Sequence, residues 1–428
     1  MVRILKSTDK NFQKNFQKII RRGEGLADGI EDRVREILLQ VRQKGDRSLL
    51  ELTRKFDQNL LTLKTLEVTP QEMKKAYSQV SKKDLSALQL AATRIRHFHQ
   101  KLKLPSWEKN EGGVRLGQRV TPLQRVGIYV PGGKAAYPSS VLMNAIPARV
   151  AGVEEVVMVT PFPQGVANPH VLVAADLAKV DRIFKVGGAQ AVAALAYGTA
   201  SIPKVDKIVG PGNIYVALAK RQVFGEVDID MIAGPSEILV IADATANSDW
   251  VAADLLSQAE HDEKASSVLV TWSETLLEKV QSSLEKILKT LPRKKIALES
   301  LRHHGALILV RNSNEAATIA NEVASEHLEL AVKNPRALLP KIKNAGAIFL
   351  GHHTTESFGD YLAGPNHVLP TSGTARFASP LSTYDFLKFS SVIECSPQAA
   401  KKLGPTVAHL ADLEGLQAHA LSMRLRYS

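Results

Sequence analysis

The chain has 428 residues, 44% of them hydrophobic and 23% charged, which suits two to four well-buried domains and excludes a disordered polypeptide. One cysteine, Cys395, excludes a disulfide within the chain and a thiolate-rich metal cluster, and it fits a reducing cytoplasm. The formal charge of +12 admits an anionic partner, but the basic residues are mixed with acids in helix-patterned stretches and no nucleic-acid motif accompanies them, so no such partner is expected.

The N-terminus, Met-Val-Arg-Ile-Leu-Lys, lacks a signal-type apolar core. No apolar run reaches the roughly 18 residues of a membrane-crossing helix, so no membrane partner is expected either. Residues 11–45 repeat apolar positions at helical spacing. A second helix starts at Thr69-Pro70-Gln71-Glu72, where a Thr cap, a Pro in the first turn and a Glu form a capping box, and it runs to about His97. Leu104 to Arg119, with Pro105, Gly112 and Gly113, reads as a connector.

From Val126 short Val- and Ile-rich runs alternate with helical stretches: 127–130, 156–159, 183–186 and 207–209, then 238–241, 268–270, 307–310, 328–330 and 348–350. This alternation predicts an α/β fold of two tandem parallel sheets, with a break near Gly234-Pro235-Ser236. The layout divides into an N-terminal arm (1–22), a first α/β domain with a helical N-terminal part (23–235), a second α/β domain (236–377) and a small helical C-terminal segment (378–428).

Ligands of open α/β sheets sit at the carboxyl ends of the strands, which directs the search to the loops after each run. Pro131-Gly132-Gly133-Lys134, Gly187-Gly188-Ala189-Gln190 and Gly210-Pro211-Gly212-Asn213 occupy such places, and none matches G-x-G-x-x-G. Each also reads as a plain strand-to-helix turn, and no tight pyrophosphate cradle is predicted. Gln258 and His261, three apart on a helix, share one face as two metal ligands would, although a solvated helix end presents such pairs too. Glu326 and His327 stand where a helix gives way to a strand. Neighbours on a strand point oppositely, so both serve one pocket only if Glu326 lies in the preceding loop. The loop Phe358–His367 adds Asp360 and His367. His303-His304 and His352-His353 lack partners at ligand spacing and read as surface histidines.

Taken together, Arg125-Val126-Gly127-Ile128-Tyr129-Val130-Pro131-Gly132-Gly133, Lys185–Ala191, Val205–Asn213, Ala233–Glu237, Gln258–Asp262, Ser325–Glu329 and Ala363–Thr371 resemble the histidinol dehydrogenase family, in the family's order over nearly the full length. The resemblance implies two incomplete Rossmann-like domains, the first on the NAD side and the second on the zinc and substrate side. It implies one zinc ion per subunit, held by Gln258, His261, Asp360 and His419. L-histidinol would meet Ser236, Gln258, His261, His327, Asp360, His367, Glu414 and His419, and NAD would lie against Tyr129, Gln190 and Asn213. It also implies an intertwined homodimer whose C-terminal segments complete each other's sites, so Glu414 and His419 act in trans.

The residue types suit that chemistry. Oxidising an alcohol to an acid takes two hydride transfers, each with a proton leaving oxygen, and a neutral imidazole such as His327 is a fitting base for both. Glu326 is placed to activate the water that adds to the aldehyde between them. The zinc set keeps positive charge and open positions, which suits orienting the substrate rather than generating hydroxide. A zinc-dependent hydrolase using Glu326 or Glu260 as base is the alternative, and it lacks the H-E-x-x-H motif.

Overall fold

The structure is a computed structural model and describes residues 2–20, 29–132 and 137–428. Gly133 and Lys134 of the first Gly-rich turn, and the boundary at residues 22 and 23, lie outside the described residues. The strands in chain order are β1 (Arg3–Lys6), β2 (Trp107–Glu111), β3 (Val114–Pro122), β4 (Arg125–Tyr129), β5 (Glu155–Val159), β6 (Arg182–Phe184), β7 (Lys207–Val209), β8 (Asp228–Ile229), β9 (Glu237–Ala242), β10 (Ser266–Thr271), β11 (Ala306–Leu309), β12 (His327–Ala331), β13 (Ala347–Leu350) and β14 (Leu387–Cys395).

They form two parallel sheets and one antiparallel sheet. The first parallel sheet runs β6-β5-β4-β7-β8 and the second β1-β11-β10-β9-β12-β13. Counted from β4 and from β9, both follow the order 3-2-1-4-5, an incomplete Rossmann arrangement, and the second adds β1 at its edge beside β11. Apolar runs became strands here because helices cover both faces, so all six residues of β9 and of β10 are buried. The change of sheet falls between Ile229 and Glu237, bracketing the Gly234-Pro235-Ser236 break.

The capping box forms as the residues dictate: Thr69 N–H donates to Glu72 at 2.8 Å and Glu72 N–H to Thr69 Oγ1 at 3.2 Å. The helix it starts ends at Gln79, and a second, Lys82–Gln100, begins behind a Ser81 cap, so the periodic run is two helices.

The expected connector is instead a hairpin. β2 and β3 pair across Gly112 and Gly113, both in the left-handed region (φ 62° and 89°), and β14 pairs antiparallel with β3. β2 is exposed along its whole length, so it carries no apolar alternation that a reading of the sequence can detect. Beyond β14 the helices Pro397–Leu413 and Gln417–Tyr427 pack on each other as a hairpin. Leu410, Leu413, Leu421 and Leu425 are more than half exposed there.

Among the described residues, no helix is long and apolar enough to cross a membrane.

Candidate functional site

The side chains of Glu326 and His327 come together, Oε2 of one 3.8 Å from Nδ1 of the other. The helix Ser313–Val323 ends on Ala324 in a left-handed conformation (φ 49°), and β12 begins only at His327, which leaves Glu326 in the loop. One backbone residue holds both side chains. Glu237, first in β9, donates its N–H to Glu326 Oε2 at 2.9 Å, and its carbonyl lies 3.0 Å from His327 Nδ1. A carbonyl only accepts, so Nδ1 holds its proton against it, and Nε2 is the ring nitrogen left to gain or lose one. That Nε2 is buried without a hydrogen-bond partner, 3.6 Å from Asp360 Oδ1.

Gln258 lies in the last turn of the helix Ser248–Ala259 and is fully buried, so the solvated-helix-end reading does not hold for it. Its amide nitrogen lies 3.2 Å from both Glu356 carboxylate oxygens and from the Glu237 carbonyl and 3.1 Å from His327 Nδ1, which turns its oxygen to His261 Nδ1 at 3.1 Å. His261 follows the helix and is exposed. Asp360 sits in a single π turn, Gly359–Ala363, after the short helix Glu356–Phe358. Such turns are frequent at functional sites. Asp360's carbonyl lies 3.1 Å from His367 Nδ1.

The electrostatics follow from crowded carboxyls in a sealed space. Burial pushes Glu326 up to about 8 and Glu356 up to about 7. Burial alone would lower His327, but the Glu356, Glu326 and Asp360 carboxylates outweigh it and push the imidazole up to about 10. Asp360 is also raised by burial, yet the facing His327, His367 and His261 rings hold it below the usual range. Among the described residues, His327, Glu356 and Asp360 form a group of acid and imidazole ligand atoms all within 4.8 Å of one another. This trio shares only Asp360 with the zinc set implied by the resemblance. A cation bound to Asp360 would relieve the repulsion and remove part of the pull that raises His327.

A second buried carboxyl pair lies behind the site. Glu329 accepts the Glu356 N–H at 2.8 Å, and burial beside Asp254 lifts it well above its usual 4.5. A raised folded value means that the stability Glu329 lends is full below about 4.5 and is lost as pH climbs through the raised value. Glu329→Gln keeps the accepting oxygen. It should raise the melting temperature of the metal-free protein above pH ~7, by on the order of 1–3 °C, and change little in acid. Thermal melts across pH check this.

The two sheets use opposite edges. His327 and Glu237 open their strands, and Gln258 ends the helix leading toward β10, so this cluster sits at the amino edge of the second sheet. That departs from the carboxyl-edge rule, whereas the residues that the resemblance assigns to NAD lie at the carboxyl edge of the first sheet. Tyr129 ends β4, and its hydroxyl accepts the Gly188 N–H at 3.1 Å; burial pushes its pKa up to about 12 and keeps it neutral. Gln190 is buried in the helix Gly188–Tyr197. Asn213 caps the helix Ile214–Val223, accepting from Tyr215 and Val216 N–H at 3.1 and 3.2 Å. The edges face each other across a seam: Ser140, in the first turn after β4, lies 3.4 Å from His367 Nε2, and Asn366 donates to the Met143 carbonyl at 2.6 Å.

Ser236 directly precedes β9, half-buried, its carbonyl accepting from Ser266 at 3.0 Å. Glu414 and His419 stand apart: both are exposed on the C-terminal helical hairpin, and no hydrogen bond or ion pair among the described residues joins either to the cluster. His352 Nε2 meets Thr245 Oγ1 at 3.1 Å and His353 packs on Trp250, away from the cluster, while His303 is exposed. Sequence reasoning missed Glu356, Ser140 and the backbone of Glu237. The i,i+4 spacing of Glu356 and Asp360 was the available signal for the first. The other two come from chain segments that only the fold brings near.

The family profile described as histidinol dehydrogenase matches residues 20–427. A histidinol dehydrogenase of Syntrophotalea carbinolica is 57% identical over 427 residues, covering 100% of this chain and 99% of that protein. One from Aquifex aeolicus is 54% identical over 422 residues, covering 99% and 98%. The crystal structure of histidinol dehydrogenase from Elizabethkingia anophelis superposes with a TM-score of 0.94 at 37% identity, covering 99% of this chain and 98% of that one. The chain belongs to the histidinol dehydrogenase family.

Proposed function

We propose that the chain carries out the NAD-dependent oxidation of L-histidinol through L-histidinaldehyde to L-histidine, the closing oxidation of histidine biosynthesis, in a zinc-containing homodimer. The observation that carries this reading is the buried His327, its Nε2 bare and its Nδ1 fixed by the Glu237 carbonyl, beside Glu326. Overall one alcohol, one water and two NAD give one carboxylate, two NADH and three protons. His327 Nε2 takes the hydroxyl proton as the first hydride leaves carbon. His327 releases that proton to solvent before the second step; Glu326 takes a proton from the water that adds to the aldehyde and gives it to the former carbonyl oxygen, and the hydrate then loses its proton to His327 as the second hydride leaves. Burial raises Glu326, which makes its carboxylate a stronger base toward that water.

Zinc would be held by Gln258, His261, Asp360 and His419 of the partner subunit. The donor set fits such an ion: the Gln258 amide oxygen and His261 Nδ1 stand 3.1 Å apart, close to the roughly 3.3 Å between two ligands of a tetrahedral zinc. When bound, the ion supplies a fixed positive charge that orients the substrate's imidazole and amino nitrogens. Ser236, His327, His367 and the partner subunit's Glu414 complete the substrate contacts, and Tyr129, Gln190 and Asn213 line the NAD side. The exposed leucines of the C-terminal hairpin support pairing of two chains.

The test is a count of NADH formed per histidinol consumed by the purified enzyme. The expected count is two. A count of one would place the end of the reaction at the aldehyde, and zero would remove the dehydrogenase reading in favour of hydrolysis.

A further inference from the structure

The helix Asp46–Asp57 belongs to the N-terminal helical region and to neither sheet. Its Leu49 and Leu52 share a core with Ala189, Val192 and Ala193 of the helix Gly188–Tyr197. That packing carries Asp57, the last helical residue, toward the loop after β6, where burial pushes its carboxyl up and the nearby Gly187 backbone N–H holds it back. Gln58 (φ 50°) then turns the chain away. The N-terminus of the helix Gly188–Tyr197 offers a field that favours negative charge at this point. Tyr129, whose hydroxyl contacts Gly188, feels the same carboxylate.

Two polar atoms in this corner are buried without a hydrogen-bond partner: Asp57 Oδ2, an acceptor, and Gln190 Nε2, a donor. Unmet buried polar groups are costly, and one acceptor with one donor suits a vicinal diol. In dinucleotide folds an acid at the end of the second strand holds the adenosine ribose. Here the second strand, β5, is followed by Thr160-Pro161-Phe162-Pro163, with no acid. The corner lies on the side of the sheet, toward β5 and β6, where the first half of such a fold carries the adenosine.

We propose that Asp57, reaching in from outside the sheet, accepts the adenosine ribose hydroxyls of the dinucleotide, with Gln190 donating to the same sugar, and thereby selects NAD over a cofactor bearing a 2′-phosphate. This rests on the reading of Tyr129, Gln190 and Asn213 as the NAD side. A 2′-phosphate placed there would meet a carboxylate and would lose the hydroxyl that donates to it.

The test uses the full-length enzyme and its Asp57→Asn and Asp57→Ser variants, two variants being made so that one folded protein suffices. kcat and KM are measured for NAD and for NADP at saturating histidinol. We expect the KM for NAD to rise about tenfold or more with kcat within about twofold, and the ratio of kcat/KM for NAD to that for NADP to fall at least about tenfold. A merely structural role would lower both cofactors' values together, so an unchanged ratio overturns the proposal whatever happens to stability. Failure of the wild-type enzyme to reduce NAD would remove the cofactor reading itself, a result distinguishable from an active wild type whose ratio Asp57→Asn leaves untouched.

Discussion

Asn in place of His327 should slow alcohol and aldehyde oxidation alike, each by about 10²–10⁴-fold, the range a positioned general base contributes. The substitution keeps a polar group near the Glu237 carbonyl but removes Nε2, the atom proposed to take the proton. Substrate binding through the other contacts should survive, so the loss should fall on kcat rather than KM. Stopped-flow measurement of NADH formation from histidinol and from histidinaldehyde separates the two steps. Retention of a normal alcohol step would refute one shared base. Glu326→Gln makes the contrasting case: its amide oxygen can still accept the Glu237 N–H, yet it cannot take a proton from water. Aldehyde oxidation should therefore suffer more than alcohol oxidation, and equal losses would reduce Glu326 to a neighbour that only shapes the pocket.

Mixing two inactive proteins should restore activity if the site is shared between subunits. A His261→Asn homodimer and a His419→Asn homodimer each lack one proposed zinc ligand at every site. After subunits exchange at random, half of the dimers are mixed, and each mixed dimer has one site with no substitution and one with both. About a quarter of wild-type activity should return. In the single chain His419 is exposed on the terminal hairpin while Gln258 is fully buried at the edge of the second sheet, which is why the partner is asked to supply it. No recovery after verified exchange would place each site within one chain.

The two parallel sheets were legible because strands covered on both faces must be apolar runs, and such runs between Gly-rich turns leave few other readings. β2 and β14 were not legible. Both are largely exposed and obey pairing with β3 rather than any pattern of their own. β1 was hidden differently, since four residues at the terminus become a strand only against β11. At the site, the condition that Glu326 precede the strand was readable from spacing, and the geometry meets it. The role of Glu237 was not readable, because its backbone does the holding and backbone atoms carry no sequence signature. Searching only after strands also pointed away from His327, which opens one. The trans placement of Glu414 and His419 came from family resemblance, and nothing in one chain's spacing could have supplied it.

The seam between the two halves acts as a gauge block. Ser140 and Met143 on one side, Asn366 and His367 on the other, fix how far the edge proposed for the nicotinamide stands from the imidazole edge. Reacting atoms must come within roughly 3–3.5 Å, and a 1 Å error can cost on the order of a hundredfold in rate. Residues that never meet hydride or proton thus set the length across which both must travel.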